Sequence, residues 1–256
     1  MEENEVENKI VQNKNEAISE VNKYLDTCLL NDKNHIKKAN LLSYWLKDYI
    51  KYISEEETFN PSSLKEYSRG DVIKVNLGFN VGNEEGGLHY CIVLDKKNSK
   101  FHSTLTVVPL SSVKPWSKPH KTSVFLGDDI YTTLQNKNTK IIETIKEHIN
   151  IYKDEIKLLY SLPEDTEEEK IIKNYKIQQM NNKLKNDNEK LDLSEKIRTE
   201  LNQMKTGTIA LINQITTISK QRIYNPKKDL DILSDIKISD EKMKLIDEKI
   251  KKLFIN

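Results

Sequence analysis

The stretch Arg69–Ser112 combines an unusual glycine content with residues typical of β-strands. It contains five of the seven glycines in the chain: Gly70, Gly78, Gly82, Gly86 and Gly87. Glycine allows backbone conformations with positive φ and lets a ligand approach the backbone closely. The concentration of glycine therefore predicts a turn or a ligand site at this point, and the chemistry of the protein is expected here.

Other common catalytic and metal-binding patterns are missing from the sequence. Apart from His89 in the glycine-rich stretch, the histidines are scattered along the chain: His35, His102, His120 and His148. Neither they nor the two cysteines have the spacing of metal ligands. The sequence has neither a phosphate-binding P-loop nor a G-x-S-x-G nucleophile elbow. We expect no metal and no cofactor.

Charge identifies no partner by itself, because 41 basic and 40 acidic residues leave a net charge of +1. Residues 61–125 carry a net charge of +4 and residues 128–206 a net charge of −2. A basic segment beside a weakly acidic one fits a polyanion site, and it equally fits chance variation on two solvated surfaces.

Hydrophobic periodicity divides the chain into helical and strand segments. Apolar residues recur at helical spacing in residues 4–30, 33–54 and 128–204, and Ser239 precedes a final helix. Within 128–204, Pro163 ends the first helical run, and Thr166 with Glu169 predicts a capping box at the start of the second helix. The apolar stripe of this second helix includes Leu184 and Leu191. Strand patterns occur between residues 67 and 126 and again after Gly207. We therefore predict three parts, which are an N-terminal helical extension (1–60), a sheet domain with a C-terminal helix (61–127 and 205–256), and an inserted helical hairpin (128–204).

The cellular location follows from features that are missing. No apolar run is long enough to cross a membrane, and the N-terminus is too acidic for a signal peptide. The two cysteines, Cys28 and Cys91, do not make a disulfide framework. We expect a cytoplasmic protein with buried free thiols and no membrane contact.

Two separated motifs resemble the PemK/MazF toxins of bacterial toxin–antitoxin systems. The first is Arg69–Val72 followed by the glycine loop Gly82–His89, and the second is Ala210–Arg222. The resemblance covers roughly residues 67–126 and 205–254 and implies an α+β fold. That fold is a small SH3-like β-barrel, here with N-terminal helices, an inserted helical hairpin and a C-terminal helix.

The resemblance also implies an activity and partners. Members of this family are usually homodimers that cut single-stranded RNA without a metal, and an antitoxin protein binds along the RNA groove. Such cleavage uses the ribose 2′-hydroxyl as the nucleophile, so the protein must supply a base, an acid and donors to the phosphate. The helices outside the family core are expected to enlarge the dimer, dock the antitoxin or cover the groove.

Three catalytic residues follow from the positions that match the family motifs. His89 stands where the family has a catalytic arginine, and an imidazole can exchange a proton near neutral pH. Ser111 stands at the position of a catalytic threonine and can donate a hydrogen bond to a phosphate oxygen. Glu84 matches the loop glutamate, and it either orients His89 or lies in a solvated turn.

Further matching positions are interpreted as RNA-binding residues, which are Arg69, Gly86, Gly87, Ser112, Gln214 and Arg222. For Arg69 the alternative is a structural role in the sheet domain, and for Gln214 it is a structural hydrogen bond. Trp116 could stack on an RNA base or pack on the protein.

Two functions from different classes remain open at this point. The first is a toxin-like endoribonuclease regulated by an antitoxin or by its own helices. The second is a catalytically silent barrel that binds nucleic acid or a protein target through the same groove. His89 distinguishes them, because catalysis should depend on this residue and binding alone should survive its loss.

Overall fold

The computed structural model describes residues 3–113, 120–163, 165–205 and 207–255. Trp116 lies outside the described residues. Within them the fold is α+β, with five α-helices and one antiparallel sheet of seven strands. The predicted α+β class is confirmed. No pair between the edge strands β4 (Ser123–Gly127) and β7 (Ile223–Asn225) closes this sheet within the described part of the chain.

The helices are α1 (Glu3–Leu29), α2 (Lys33–Ser54), α3 (Asp129–Ser161), α4 (Glu167–Gln203) and α5 (Asp240–Phe254). Their starts follow local chemistry. Asp32 accepts hydrogen bonds from the backbone N–H groups of Asn34 and His35 at the start of α2. Thr166 and Glu169 form the predicted capping box of α4, which satisfies two backbone donors at once.

The other strands are β1 (Val72–Asn76), β2 (Leu88–Val93), β3 (Thr104–Ser112), β5 (Thr208–Leu211) and β6 (Thr216–Ser219). The order in the sheet is β4-β5-β3-β2-β1-β7, and β6 also pairs with β3. Strands on both sides of the helical hairpin therefore join one sheet, as the sequence predicted.

β3 organises the sheet because different parts of it pair with different strands. Val107–Pro109 pair with β2, Leu110–Ser112 pair with β5, and Thr104–Val107 pair with β6. The end of β3 thus leaves β2 at Leu110, and this divergence opens space beside the start of β2.

The chain forms two compact units. The first unit is Met1–Phe59 with Gly78–Gly87, and the second unit is Asn60–Leu77 with Leu88–Asn256. In the first unit α1 and α2 bury Cys28 and Ala39. The domain limits predicted from the sequence stay a prediction.

The core of the second unit includes both helices of the hairpin. Val72 and Ile92 of the sheet are fully buried in the same cluster as Leu134 of α3 and Ile197 of α4. Burial of each such side chain contributes roughly 1.5–3 kcal/mol. The base of the hairpin is therefore part of this core, and only its far end extends beyond it.

Both cysteines are buried and free, which confirms that prediction. None of the helices in the described segments is long and apolar enough to cross a lipid bilayer.

Candidate active site

The imidazole of His89 lies where β2 and β3 diverge. His89 precedes the part of β2 that pairs with β3, and its Nδ1 is 3.1 Å from the carbonyl oxygen of Leu110. A carbonyl oxygen can only accept, so Nδ1 donates and carries a proton in this arrangement. Nε2 is then the nitrogen of a neutral imidazole that has a lone pair for proton exchange.

A cleft of about 320 Å³ lies at this divergence, entirely within the second unit. Its lining comes from four strands and the end of α4: Lys74, Leu88, His89, Tyr90, Leu110, Ser111, Ser112, Glu200, Gln203, Met204, Lys205 and Thr208. Three residues predicted from the sequence, His89, Ser111 and Ser112, are thus brought together although they come from different strands.

The end of α4 supplies an acidic group to this cleft. Glu200 Oε1 accepts a hydrogen bond from Lys74 Nζ at 2.6 Å and another from the hydroxyl of Tyr90. Lys74 Nζ also lies 5.1 Å from the centroid of the Tyr90 ring, within the range of a cation–π contact. The three side chains form one polar cluster inside the cleft.

Burial raises the pKa of Tyr90 well above its ordinary value, and the hydrogen bond to Glu200 and the charge of Glu200 raise it further. The phenol therefore stays protonated across the physiological range. Tyr90 acts as a hydrogen-bond donor in the cleft and not as a phenolate.

The glycine loop belongs to the first unit. The backbone N–H of Gly87 donates to the carbonyl of Gly78 at 2.6 Å, which closes the loop. Glu84 is exposed, and its carboxylate accepts from the backbone N–H of Val81 at 3.3 Å. Its position agrees with the solvated-turn alternative, and the catalytic role of Glu84 stays a prediction, as do the RNA contacts of Gly86 and Gly87.

Arg69 connects the sheet to the C-terminal helix. Its guanidinium donates to the carbonyl of Leu94 and forms an ion pair with Asp247 of α5. Its side chain is 23% exposed. These contacts agree with the structural alternative for Arg69, and its RNA contact stays a prediction.

The late-motif residues lie away from the cleft lining. Arg222 Nε donates to the carbonyl of Asn76 at 2.8 Å, which ties the turn before β7 to the end of β1. Gln214 lies half-buried in the 3₁₀ turn Ile212–Gln214. Neither residue is among those that line the cleft with His89, and their RNA-binding roles stay predictions.

Sequence reasoning missed the cluster of Lys74, Tyr90 and Glu200. The sequence offered a clue to Lys74, since it is the one charged residue of the mostly apolar strand β1 (Val72–Asn76). The sequence offered no clue to Glu200, because it is one of many acidic residues on α4 and lies 126 positions from Lys74. Only the fold brings the two together.

Among the described residues no group of three or more histidine, cysteine, aspartate or glutamate side chains is placed to hold a metal ion. The chemistry available in the cleft is that of an imidazole, hydroxyl groups, an ammonium group and a carboxylate.

No curated protein matches the chain. The segment that matches a family model contains β1 to β4 and nearly all of α3, and it includes the first of the two motifs, while the second motif lies outside it. The resemblance seen in the sequence is thereby confirmed: residues 68–160 match the family of PemK-like, MazF-like toxins of type II toxin–antitoxin systems.

Proposed function

We propose that this protein is a toxin-like endoribonuclease that cleaves single-stranded RNA by metal-independent attack of a ribose 2′-hydroxyl on the adjacent phosphate. The observation that carries the proposal is the cleft that joins His89 with Ser111 and Ser112. Its strands β2 and the end of β3 lie within the segment that matches the toxin family. A titratable base and neutral donors beside one cavity are the groups that this reaction requires.

The geometry supports a specific role for His89. With Nδ1–H donating to Leu110, Nε2 accepts the proton of the 2′-hydroxyl as the O2′–P bond forms. The bond from phosphorus to the 5′-oxygen breaks, and that oxygen takes a proton from water. Ser111 donates to a non-bridging oxygen as negative charge develops there. The products are a 2′,3′-cyclic phosphate and a 5′-hydroxyl.

The match to the toxin family also suggests how the activity is restrained. An antitoxin protein is the expected partner, and the active form is expected to be a homodimer with the closed SH3-like barrel of the family. The end of α4 contributes Glu200 and Gln203 to the cleft lining, which supports a second restraint by the protein's own helix.

A direct test is incubation of the purified protein with a long unstructured RNA in EDTA, with mapping of the ends that form. We expect discrete cuts that leave 2′,3′-cyclic phosphate and that disappear in His89→Ala. His102→Ala is the matched control, because His102 is an exposed histidine in the loop before β3 and does not line the cleft. Equal loss in both variants, or cleavage that survives in His89→Ala, would refute the role of His89.

A catalytically silent module that binds nucleic acid or a protein target is the second candidate. The carboxylate of Glu200 inside the cleft favours a protein target for such a module, because an anion there opposes a polyanionic nucleic acid. Cleavage by neither the folded wild type nor a folded Glu200→Gln variant would select this candidate.

A further inference from the structure

We infer that Lys74 and Tyr90 form a binding site for a backbone phosphate of RNA that flanks the cleaved one, and that the carboxylate of Glu200 occupies this site in the resting protein. The inference rests on the proposed function for the identity of the substrate. It adds two binding residues and an internal competitor that the family resemblance does not contain.

Lys74 and Glu200 are a largely buried ion pair. The side chain of Lys74 is 19% exposed and that of Glu200 is 15% exposed. A charge held mostly out of water requires a partner of opposite charge. Lys74 therefore needs an anion at this position, and either Glu200 or a ligand can supply it.

The donors converge as they would on a phosphate oxygen. Lys74 Nζ and the Tyr90 hydroxyl both donate to the same atom, Oε1 of Glu200. An ammonium group and a neutral phenol bind a non-bridging phosphate oxygen with the same geometry, and the bond from the charged donor is strengthened by the anion. An RNA phosphate can thus replace the carboxylate without leaving either donor unsatisfied.

The position of the site separates it from the chemical step. Lys74 and Tyr90 are directly paired in the register of β1 and β2, so their side chains share one face of the sheet. His89 directly precedes Tyr90 in β2, so the two residues are neighbours along the strand. Both residues line the same cleft. The site therefore holds a phosphate next to the scissile one and contributes to binding.

The test measures binding of an all-2′-O-methyl RNA oligonucleotide, which has no free 2′-hydroxyl and cannot be cleaved. Fluorescence anisotropy is recorded over a range of salt concentrations for the full chain and for Glu200→Gln. Glu195→Gln is the matched control, because it removes the same charge from an exposed position of α4. The double variant Lys74→Met/Glu200→Gln removes the ammonium group as well.

We expect Glu200→Gln to bind about tenfold more tightly than Glu195→Gln, and the slope of log K against log salt to steepen by about 0.7, the value of one phosphate contact on a single strand. The double variant should show neither the tighter binding nor the steeper salt dependence. Glu200→Asp keeps the charge but shortens the side chain, which withdraws the carboxylate from Lys74, so a gain in affinity is expected over its matched control Glu195→Asp.

The inference is overturned if Glu200→Gln binds no more tightly than Glu195→Gln and Glu200→Asp binds no more tightly than Glu195→Asp, or if the gain persists without Lys74. Inorganic phosphate added as a competitor identifies the ligand chemistry, since strong competition at low concentration would show a site for free phosphate instead of an RNA backbone. Cleavage of unmodified RNA is scored separately. Lys74-dependent binding without any cleavage would refute the endoribonuclease while retaining the phosphate site.

Discussion

The Nδ1 atom of His89 and the carbonyl oxygen of Leu110 are 3.1 Å apart at the point where β3 leaves β2. This contact fixes the tautomer of a neutral imidazole, because the carbonyl can only accept. It also holds the ring at the edge of the cleft that Ser111 lines. A role in orientation and a role in proton transfer therefore belong to different nitrogens of the same side chain.

His89→Asn separates these two roles. An asparagine amide has a donor in place of Nδ1 but no basic nitrogen, so the fold should survive while the RNA cleavage rate falls by about 100-fold or more. Thermal unfolding and the initial rate of RNA cleavage are measured on the same preparations. A variant that folds and cuts at more than a tenth of the wild-type rate would contradict proton transfer by His89.

The far end of the hairpin should be dispensable for restraint of the cleft. Replacing residues 154–182 by a short glycine–serine linker keeps Leu134 and Ile197 in the core and leaves Glu200 in place. We expect this variant to fold and to cleave RNA no faster than the full chain. Deletion of the entire segment 128–204 would instead remove buried core residues, and it cannot test restraint cleanly.

The contrasting arm of that experiment is Glu200→Gln in the full chain, which should cleave faster. The comparison uses initial rates at equal concentrations of folded protein. Faster RNA cleavage by the shortened hairpin but not by Glu200→Gln would show that the far end of the hairpin, and not the end of α4, restrains the activity.

The sequence was sufficient for the helices and strands, because their signals are local. The capping box at Thr166 correctly predicted the start of α4. Pro163 correctly predicted that the preceding helix, α3, ends just before it. The buried face of α4 was predicted less well from its apolar residues. Leu184 and Leu191 are 39% and 43% exposed, whereas Asp187 is buried. An apolar period cannot predict a buried carboxylate whose closest partners, Tyr152 and His148, lie on another helix.

The residues of the candidate site also fall into those that the sequence predicted and those that only the fold reveals. His89 and Ser111 were found because they stand at positions of a family motif, and the fold brings both to one cleft. Lys74 and Glu200 were not found, since their contact depends on the way a 37-residue helix ends beside the sheet. Long-range ion pairs of this kind have no local pattern in a single sequence.

Asp187 should make the hairpin sensitive to acid. Burial alone raises the pKa of this carboxyl, but hydrogen bonds from the Tyr152 hydroxyl at 2.6 Å and from His148 at 2.8 Å lower it below its ordinary value of 3.8. The ionised form is thus favoured in the folded state. Its contribution is complete above the unfolded-state pKa and is lost as the pH falls through 3.8 toward the folded value.

Asp187→Asn removes this contribution. We expect it to lower the free energy of unfolding by about 2 kcal/mol near neutral pH, since the buried hydroxyl of Tyr152 and the half-buried imidazole of His148 lose a charged acceptor. The difference from the wild type should shrink as the pH falls below about 5 and through 3.8. Hydrogen exchange of α3 and α4 amides measures the local effect, and Asp192→Asn, an exposed position on α4, is the control. A difference that is independent of pH would contradict the role of the ionised carboxylate.

Gly78 should be far less tolerant of substitution than Gly82, although both have positive φ, +87° and +64°. A Cβ on Gly78 would lie 2.7 Å from the indole ring of Trp45 in α2, whereas a Cβ on Gly82 meets no atom within 4 Å. Gly82→Ala carries only the backbone strain of a left-handed conformation, about 1–2 kcal/mol. Gly78→Ala adds an overpacking cost of about 1–3 kcal/mol because the half-buried indole must shift.

Thermal unfolding and tryptophan fluorescence of the two variants provide the measurement. Gly78→Ala should lower the stability of the first unit more than Gly82→Ala and should change the Trp45 emission, while Gly82→Ala leaves the emission unaltered. Both alanines have the same side chain and nearly the same backbone conformation, so the difference isolates the contact with Trp45. Equal destabilisation by the two substitutions would show that the glycine loop requires φ alone and does not depend on its packing against α2.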